Sequence, residues 1–365
     1  MKIGYFVRNI GVSGGVKSML QHVGMLRDMG YDAILITEKV KKDWCLQTEP
    51  CMVKDKNLRD LPNCHIYVGT AYNDVKRLYD AKKGRVVHYC QGYEPTEYRS
   101  RINGEFISER YERRGLFSSV GRFIDNMKFR KRIKEIESIY ALPTIKAGLS
   151  PHLVRLIKER YEQECHIIQG GIDDRVFNAR ERKPWGLRGK IRILCVGSMF
   201  VGFKGIPDTY DAIEILKKRG LDLEFIRVSP APATKREAEG GIVDRYYVGL
   251  NEAEMAALYK ETDIYISTSL EGEGLGYPAI EALACGVPSI LTEIPSYQDL
   301  DEKRDFACFV PVHSPDLVAE GIIKIIEDSE FRNRCIQRGF EVAKGYTLER
   351  TKKDLKIFFE KIKNL

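Results

Sequence analysis

The sequence predicts an α/β protein of two doubly wound, Rossmann-like domains facing across a cleft. Three observations carry that expectation. A strand, a glycine-rich turn, a helix and a second strand follow one another between Ile3 and Thr37. The same alternation restarts at Ile191, after a polar passage rich in Arg, Lys and Pro that ends near Lys190. At 365 residues the chain also exceeds the size at which one hydrophobic core stops growing. Alternating strands and helices imply parallel sheets, with ligands at the carboxyl ends of the strands.

Composition narrows the class. Hydrophobic residues make up 43% and charged residues 30%, as in an ordinary folded protein. No apolar run reaches the roughly 18–20 residues of a spanning helix, and no leader pattern precedes the first strand. Nine cysteines are scattered, odd in number and without a Cys-x-x-Cys pair. Neither a zinc site nor a disulfide framework is expected, and a reducing cytoplasm fits. The formal net charge of +7 is local: between Arg99 and Lys134 eleven Arg/Lys face four acids, which accounts for all of it. Because Ile102, Phe106, Tyr111, Phe117, Phe123, Met127 and Phe129 are interleaved there, the segment suits a helix lying on anionic lipid, a grip on an anionic acceptor, or an ordinary helix packed on its own domain. No recognition motif argues for nucleic acid.

In chain order, Ile3–Val7 reads as a strand and Arg8–Val16 as a turn containing Gly14 and Gly15. A helix follows from Lys17 to about Met29, then a strand from Tyr31 to Thr37. The spacing is not Gly-x-Gly-x-x-Gly and no acid follows about 20 residues on, so NAD is not expected. Residues 64–69 and 85–90 read as further strands. The second runs into Gln91-Gly-Tyr-Glu94-Pro95, which places His88 and Gln91 on or just past a strand end, where either chemistry or plain packing is expected. The domain boundary falls at about residue 170: 1–170 forms the first domain and 171–345 the second, with a last amphipathic helix (346–365) returning to the first. In the second half, Ile191–Val196, Leu223–Val228 with Arg227, Tyr246–Gly249, Ser289–Thr292 and Phe306–Val310 read as strands. Lys204-Gly205 precedes a helix through Leu216.

The most informative stretch is Asp263–Pro288. Asp263–Ser267 is a short buried strand, and Glu271-Gly-Glu273-Gly-Leu-Gly276 a glycine loop. Pro278 opens a short helix that carries Glu281 and closes at Gly286. Backbone N–H groups at such a helix start suit a phosphate. Carboxylates beside it would repel one, so they address hydroxyls on the same ligand. Phosphates at one end and hydroxyls at the other describe a sugar nucleotide.

Those residues also resemble a family. Glu273-Gly-Leu-Gly-Tyr-Pro-Ala-Ile-Glu281 is similar to the Glu-x7-Glu motif of the retaining glycosyltransferases of family four (glycosyl transferases group 1), which have the GT-B fold. Gly14-Gly15-Val16 resembles the family's first loop, and Gln169-Gly-Gly-Ile-Asp173…Phe177 its Asn-Gly-Val-Asp…Phe segment. Lys204-Gly205, Tyr259…Asp263 and Glu281-Ala-Leu-Ala-Cys-Gly286-Val-Pro288 fall in register. Gln91-Gly-Tyr-Glu-Pro95 is similar to a short segment of some rhamnosyltransferases of the family.

The resemblance implies roles. Glu281 would hold the nucleotide ribose and Glu273 the donor sugar. The N–H groups of Gly274, Leu275 and Gly276 would lie near its hydroxyls or the pyrophosphate. Lys204 would neutralise the departing diphosphate, Val248 and its neighbours would meet the base, and Gly14 and Gly15 the phosphates or acceptor. Two departures matter. Ser198 stands where the family usually has Arg, and Arg227 at the next strand end is the candidate to replace that charge. His88 and Gln91 bracket the place of a common catalytic histidine.

The function so implied is hexosyl transfer, with retention, from a nucleoside-diphosphate sugar to a hydroxyl of a glycan or lipid-linked acceptor, as in polysaccharide biosynthesis. No metal and no other cofactor is called for. Asp299-Leu-Asp301 reads as solvated surface rather than a metal site. The protein is expected in the cytoplasm, at the inner face of the membrane if the basic segment binds lipid. The competing readings are a sugar-nucleotide epimerase on the same fold and a non-catalytic subunit that binds a sugar nucleotide or glycan. The base, sugar, acceptor and oligomeric state are not fixed.

Overall fold

The computed structural model describes residues 1–11, 14–40, 49–103, 118–186 and 189–363. The expected basic segment therefore lies partly outside the described residues, which resume at Ser118. The chain divides into two compact units. One comprises Met1–Arg99, Ser119–Gly170 and Glu349–Leu365, and the other contains Gly171–Leu348.

The first unit carries strands β1 (Lys2–Phe6), β2 (Asn9–Ile10), β3 (Asp32–Thr37), β4 (Lys39–Val40), β5 (Cys51–Met52), β6 (Ile66–Gly69), β7 (Arg85–Cys90), β8 (Ile145–Gly148) and β9 (Cys165–Ile167). Seven of them form a parallel sheet in the order β5-β3-β1-β6-β7-β8-β9, and β2 pairs with β4. Helices cover the sheet, so its strands read as continuous apolar runs (Val86, Val87, Tyr89 and Cys90 are all buried). The first helix spans Gly14–Asp28, so the two glycines expected in the turn occupy its first turn instead. There the N–H groups lack intrahelical partners anyway.

The C-terminal helix Leu348–Lys363 belongs to this unit. It buries Leu355, Phe358, Phe359 and Ile362. Its Asp354 accepts a hydrogen bond from the Gln169 N–H at 3.1 Å, and Arg85 donates to the Ile362 carbonyl at 2.7 Å.

The second unit carries β10 (Ile191–Val196), β11 (Leu223–Ser229), β12 (Arg245–Val248), β13 (Ile264–Ser267), β14 (Ser289–Thr292) and β15 (Cys308–Val310). They form a parallel sheet in the order β12-β11-β10-β13-β14-β15. From β10 the chain runs outward to β11 and β12, then returns to pair β13 on the other flank of β10, with Ile193 opposite Ile264. That reversal makes a topological switch point at the carboxyl ends of β10 and β13, where open α/β sheets bind ligands. Arg192 and Asp263 fasten the opposite end of the pair: Asp263 Oδ2 accepts from the Arg192 N–H at 2.9 Å and lies 3.3 Å from its Nε.

Among the described residues no helix is long and apolar enough to cross a membrane. The described cysteines are all free thiols.

Candidate functional site

The loops that leave β10 and β13 meet at the switch point. After β10, a single 3-10 turn over Gly202–Lys204 leads through Gly205 into the helix Ile206–Lys218. Gly205 has φ +58°, and a Cβ there would lie 1.8 Å from the Thr268 carbonyl oxygen. Only glycine lets the lysine turn come this close to the end of β13. The approach is held by three bonds: Thr268 Oγ1 donates to the Gly205 carbonyl at 2.7 Å, the Leu270 N–H to the Phe203 carbonyl at 2.7 Å, and the Thr209 and Thr268 hydroxyls pair at 2.8 Å.

This packing brings Lys204 to Glu273. Lys204 Nζ donates to Oε2 of Glu273 at 2.6 Å, and Ser269 Oγ donates to the same oxygen at 2.9 Å. Glu273 is buried, while the lysine side chain remains 20% exposed. Oε1 of Glu273 carries no protein partner among the described residues. Gly274, Leu275 and Gly276 continue the loop, all buried, and Gly276 (φ +76°) is the N-cap of the helix Tyr277–Ala284.

That helix is apolar on every side, as a fully enclosed helix must be. It packs on Ser329–Ala343, where a Cβ on Gly339 would lie 2.9 Å from Leu283. Glu281 is its exception. The Tyr259 hydroxyl lies 3.1 Å from Glu281 Oε2 and 3.0 Å from the Pro278 carbonyl. Burial first, and Glu281 second, push the Tyr259 phenol well above its usual range, so it stays a proton donor that orients the carboxylate. The C-terminal end of β12 supplies Val248, exposed, followed by Gly249 at φ +65°.

Comparison with known proteins then places this arrangement. Residues 190–328 match the family described as glycosyl transferases group 1. The match falls wholly within the second unit. Phosphatidyl-myo-inositol mannosyltransferase of Mycobacterium tuberculosis is 23% identical over 186 residues, 49% of each chain. An MMP alpha-(1->4)-mannosyltransferase of Mycolicibacterium hassiacum is 32% identical over 133 residues, 35% of this chain and 31% of that protein. The chain thus spans half or less of the length of these curated relatives. Among solved structures, sucrose-phosphate synthase of Thermosynechococcus elongatus superposes with a TM-score of 0.72 at 15% identity, covering 99% of this chain and 98% of that one. HepE of Anabaena, in complex with UDP-glucose, gives 0.72 at 13% identity over the whole of both chains. The fold is GT-B.

Within the second unit, Arg227 does not take the role expected of it. It lies on β11 opposite Cys195 and is fully buried, its guanidinium committed to protein groups. Nη1 donates to the Cys195 carbonyl at 2.7 Å. Nη2 donates to the Gly197 carbonyl at 2.7 Å and meets Glu237 at 3.1 Å. It is a strut under the β10 loop, not a spare charge for a diphosphate. Ser198 is buried too, and its Oγ accepts from the Phe200 N–H at 3.2 Å, a local turn bond. The charge lost at Ser198 is therefore not restored from Arg227.

In the first unit, His88 is likewise corrected from catalyst to core. It is fully buried, its ring 4.5 Å from that of Tyr140. Burial, helped by nearby Lys146 and opposed by the Thr70 backbone, pushes its imidazole down to about 3. Its ring packs as core in this structure rather than standing at the loop end of the strand. Gln91 stays at the loop. It is half-buried, and its Nε2 donates to the Gly15 carbonyl at 3.1 Å, tying the end of β7 to the first turn of Gly14–Asp28. Gly14 is exposed and Gly15 half-buried there. Glu94, from the same segment, is held by the Tyr140 hydroxyl, which also lies 3.0 Å from the Gly92 carbonyl.

Asp301 is not merely solvated: it pairs with Arg338 at 2.6 Å. Among the described residues no group of three His, Cys, Asp or Glu is arranged to hold a metal ion.

Proposed function

We propose that the protein is a retaining glycosyltransferase that moves a hexose from a nucleoside-diphosphate sugar to a hydroxyl of a glycan or lipid-linked acceptor, without a metal. The observation that carries this reading is the meeting of Lys204, Glu273 and Glu281 around one glycine loop at a topological switch point. Glu281, oriented by Tyr259, would accept from the ribose hydroxyls. Glu273 would accept from the sugar through Oε1. The N–H groups of Gly274–Gly276 would address the pyrophosphate. As the C1–O bond to the diphosphate breaks, the sugar passes through an oxocarbenium-like state. The acceptor oxygen then bonds C1 and its proton passes to the departing phosphate. Lys204 would stabilise the charge that builds there, the work a metal does elsewhere.

Mannosyl relatives, one of them named as GDP-mannose-dependent, and a UDP-glucose-bound structural neighbour make GDP-mannose and UDP-glucose the first donors to try. The test is thermal unfolding with each nucleotide sugar, with Glu281→Ala beside the wild type. A ligand at 100 times its Kd is expected to stabilise by about 2.7 kcal/mol, and Glu281→Ala to lose the shift. No shift with any nucleotide would overturn the reading. Binding without transfer to any acceptor would favour a non-catalytic subunit, the reading that the missing charge at Ser198 supports. Conversion of the sugar nucleotide without an acceptor would mark an epimerase.

The acceptor side is proposed to work in the cytoplasm against an anionic membrane. The helix Ser118–Tyr140 supports this. Phe123, Ile124 and Met127 are exposed, Phe123 at 67%. Arg130, Lys131 and Lys134 follow one helical turn further along the same face, exposed and without an ion pair among the described residues. Apolar side chains beside cations suit an interface of acyl chains and acidic headgroups. Sedimentation is expected with phosphatidylglycerol vesicles and not with phosphatidylcholine alone. Lys131→Glu with Lys134→Glu should abolish it, each cation contributing about 1 kcal/mol. Equal binding to both lipids would refute the electrostatic contact.

A further inference from the structure

The aromatic ring nearest Gly276 belongs to Tyr297, a residue with no place in the site as drawn so far. It sits on the short helix Pro295–Gln298 after β14 and is buried. A Cβ on Gly276 would lie 2.3 Å from the ring, so the ring fills the space against the glycine loop. Its hydroxyl lies 2.6 Å from Ser267 Oγ, Ser267 Oγ lies 3.0 Å from Ser269 Oγ, and Ser269 Oγ donates to Oε2 of Glu273 at 2.9 Å.

The direction of this chain follows from counting protons. A serine hydroxyl has one proton to give. Ser269 gives its proton to the carboxylate, so it must accept from Ser267. Ser267, having given its own, can only accept; the Tyr297 hydroxyl stands closest at 2.6 Å, with Tyr265 on the same serine. All three hydroxyls are buried, so none can turn to water instead, and the low dielectric strengthens each link. Burial and the nearby Glu273 push the Tyr297 phenol far up, which keeps it a donor.

We infer that Tyr297 is a positioning residue. Through Ser267 and Ser269 it fixes Oε2 of Glu273 against Lys204 and so presents Oε1 to a hydroxyl of the donor's sugar. This deepens the transferase reading and rests on it. The nucleoside diphosphate, held by Glu281 and the loop, should not sense the chain. The sugar should.

The test compares affinity for the intact nucleotide sugar with affinity for its nucleoside diphosphate alone. Tyr297→Phe keeps the ring against Gly276 and removes only the hydroxyl. It is expected to leave the diphosphate Kd unchanged and to weaken the nucleotide sugar by between about twofold and tenfold, the span of one ordinary hydrogen bond. Ser269→Ala should do the same. Adding Tyr297→Phe to Ser269→Ala should change little, because the chain is already cut. The same cycle measured by urea unfolding tests the chain without any donor.

Four results would overturn the inference. Two are that Tyr297→Phe weakens both ligands alike or weakens neither. A third is that the two variants act additively in both cycles. If the wild type bound no nucleotide sugar, the transferase reading would fall and the positioning role with it, and the unfolding cycle would show whether the chain itself exists.

Discussion

Lys204→Ala is expected to lower kcat for transfer by about 10²–10³, the loss seen when one preorganised group that stabilises developing charge is removed. Donor affinity should change less than tenfold. The asymmetry follows from where the charge appears. On the proposed function a bound diphosphate would already be solvated by the loop N–H groups, but the second negative charge on its leaving oxygen would exist only as the C1–O bond breaks, and only that charge raises kcat when met. The missing charge at Ser198 sharpens the expectation. With Arg227 committed to Cys195, Gly197 and Glu237, Lys204 is the cation the described site offers at the β10 loop. Single-turnover rates with saturating donor separate the two effects. Transfer within fivefold of wild type would reduce Lys204 to a counter-ion for Glu273.

The second large effect concerns folding rather than turnover. Gly205→Ala should destabilise the second unit by about 3 kcal/mol, combining a left-handed backbone that alanine resists with a methyl group driven into the Thr268 carbonyl, 1.8 Å away. For a unit of this size that is a fall of about 6–12 °C in Tm. Gly241→Ala is the control. Its φ is +65°, but nothing lies within 4 Å of a Cβ there, so only the backbone term of about 1 kcal/mol should appear. Equal losses in the two variants would show that the lysine turn does not depend on its approach to β13.

The alternation of strands and helices was legible because parallel strands covered on both faces are apolar along most of their length, as in Ile193–Val196, and because glycine and proline mark their ends. The loop from Glu273 to Glu281 was legible because its residue types are local and chemically particular. What escaped depends on direction and distance. Arg227 sits at a strand end, where sequence alone does not say whether a side chain faces ligand or core. The clue was Thr234-Lys-Arg-Glu237, a capping box that sets a buried carboxylate ten residues later in the chain. His88 failed as a catalyst for the same reason: the alternation of a fully buried strand gives no outward face. Tyr297 was invisible because its partners, Ser267, Ser269 and Gly276, come to it across two strands, and no spacing records that.

The helix Leu348–Lys363 carries a consequence for biosynthesis. Its aromatic face is buried within the unit whose first strand is Lys2–Phe6, yet the ribosome makes the whole of Gly171–Leu348 in between. The unit translated first is therefore the unit finished last. Until Leu355, Phe358, Phe359 and Ile362 emerge, the nascent chain exposes the apolar surface that those residues cover, and contacts so distant in sequence close slowly. The second unit owes nothing to that delay, since all its strands lie within one continuous stretch. Translation thus delivers every strand of the second unit before its companion has its last helix.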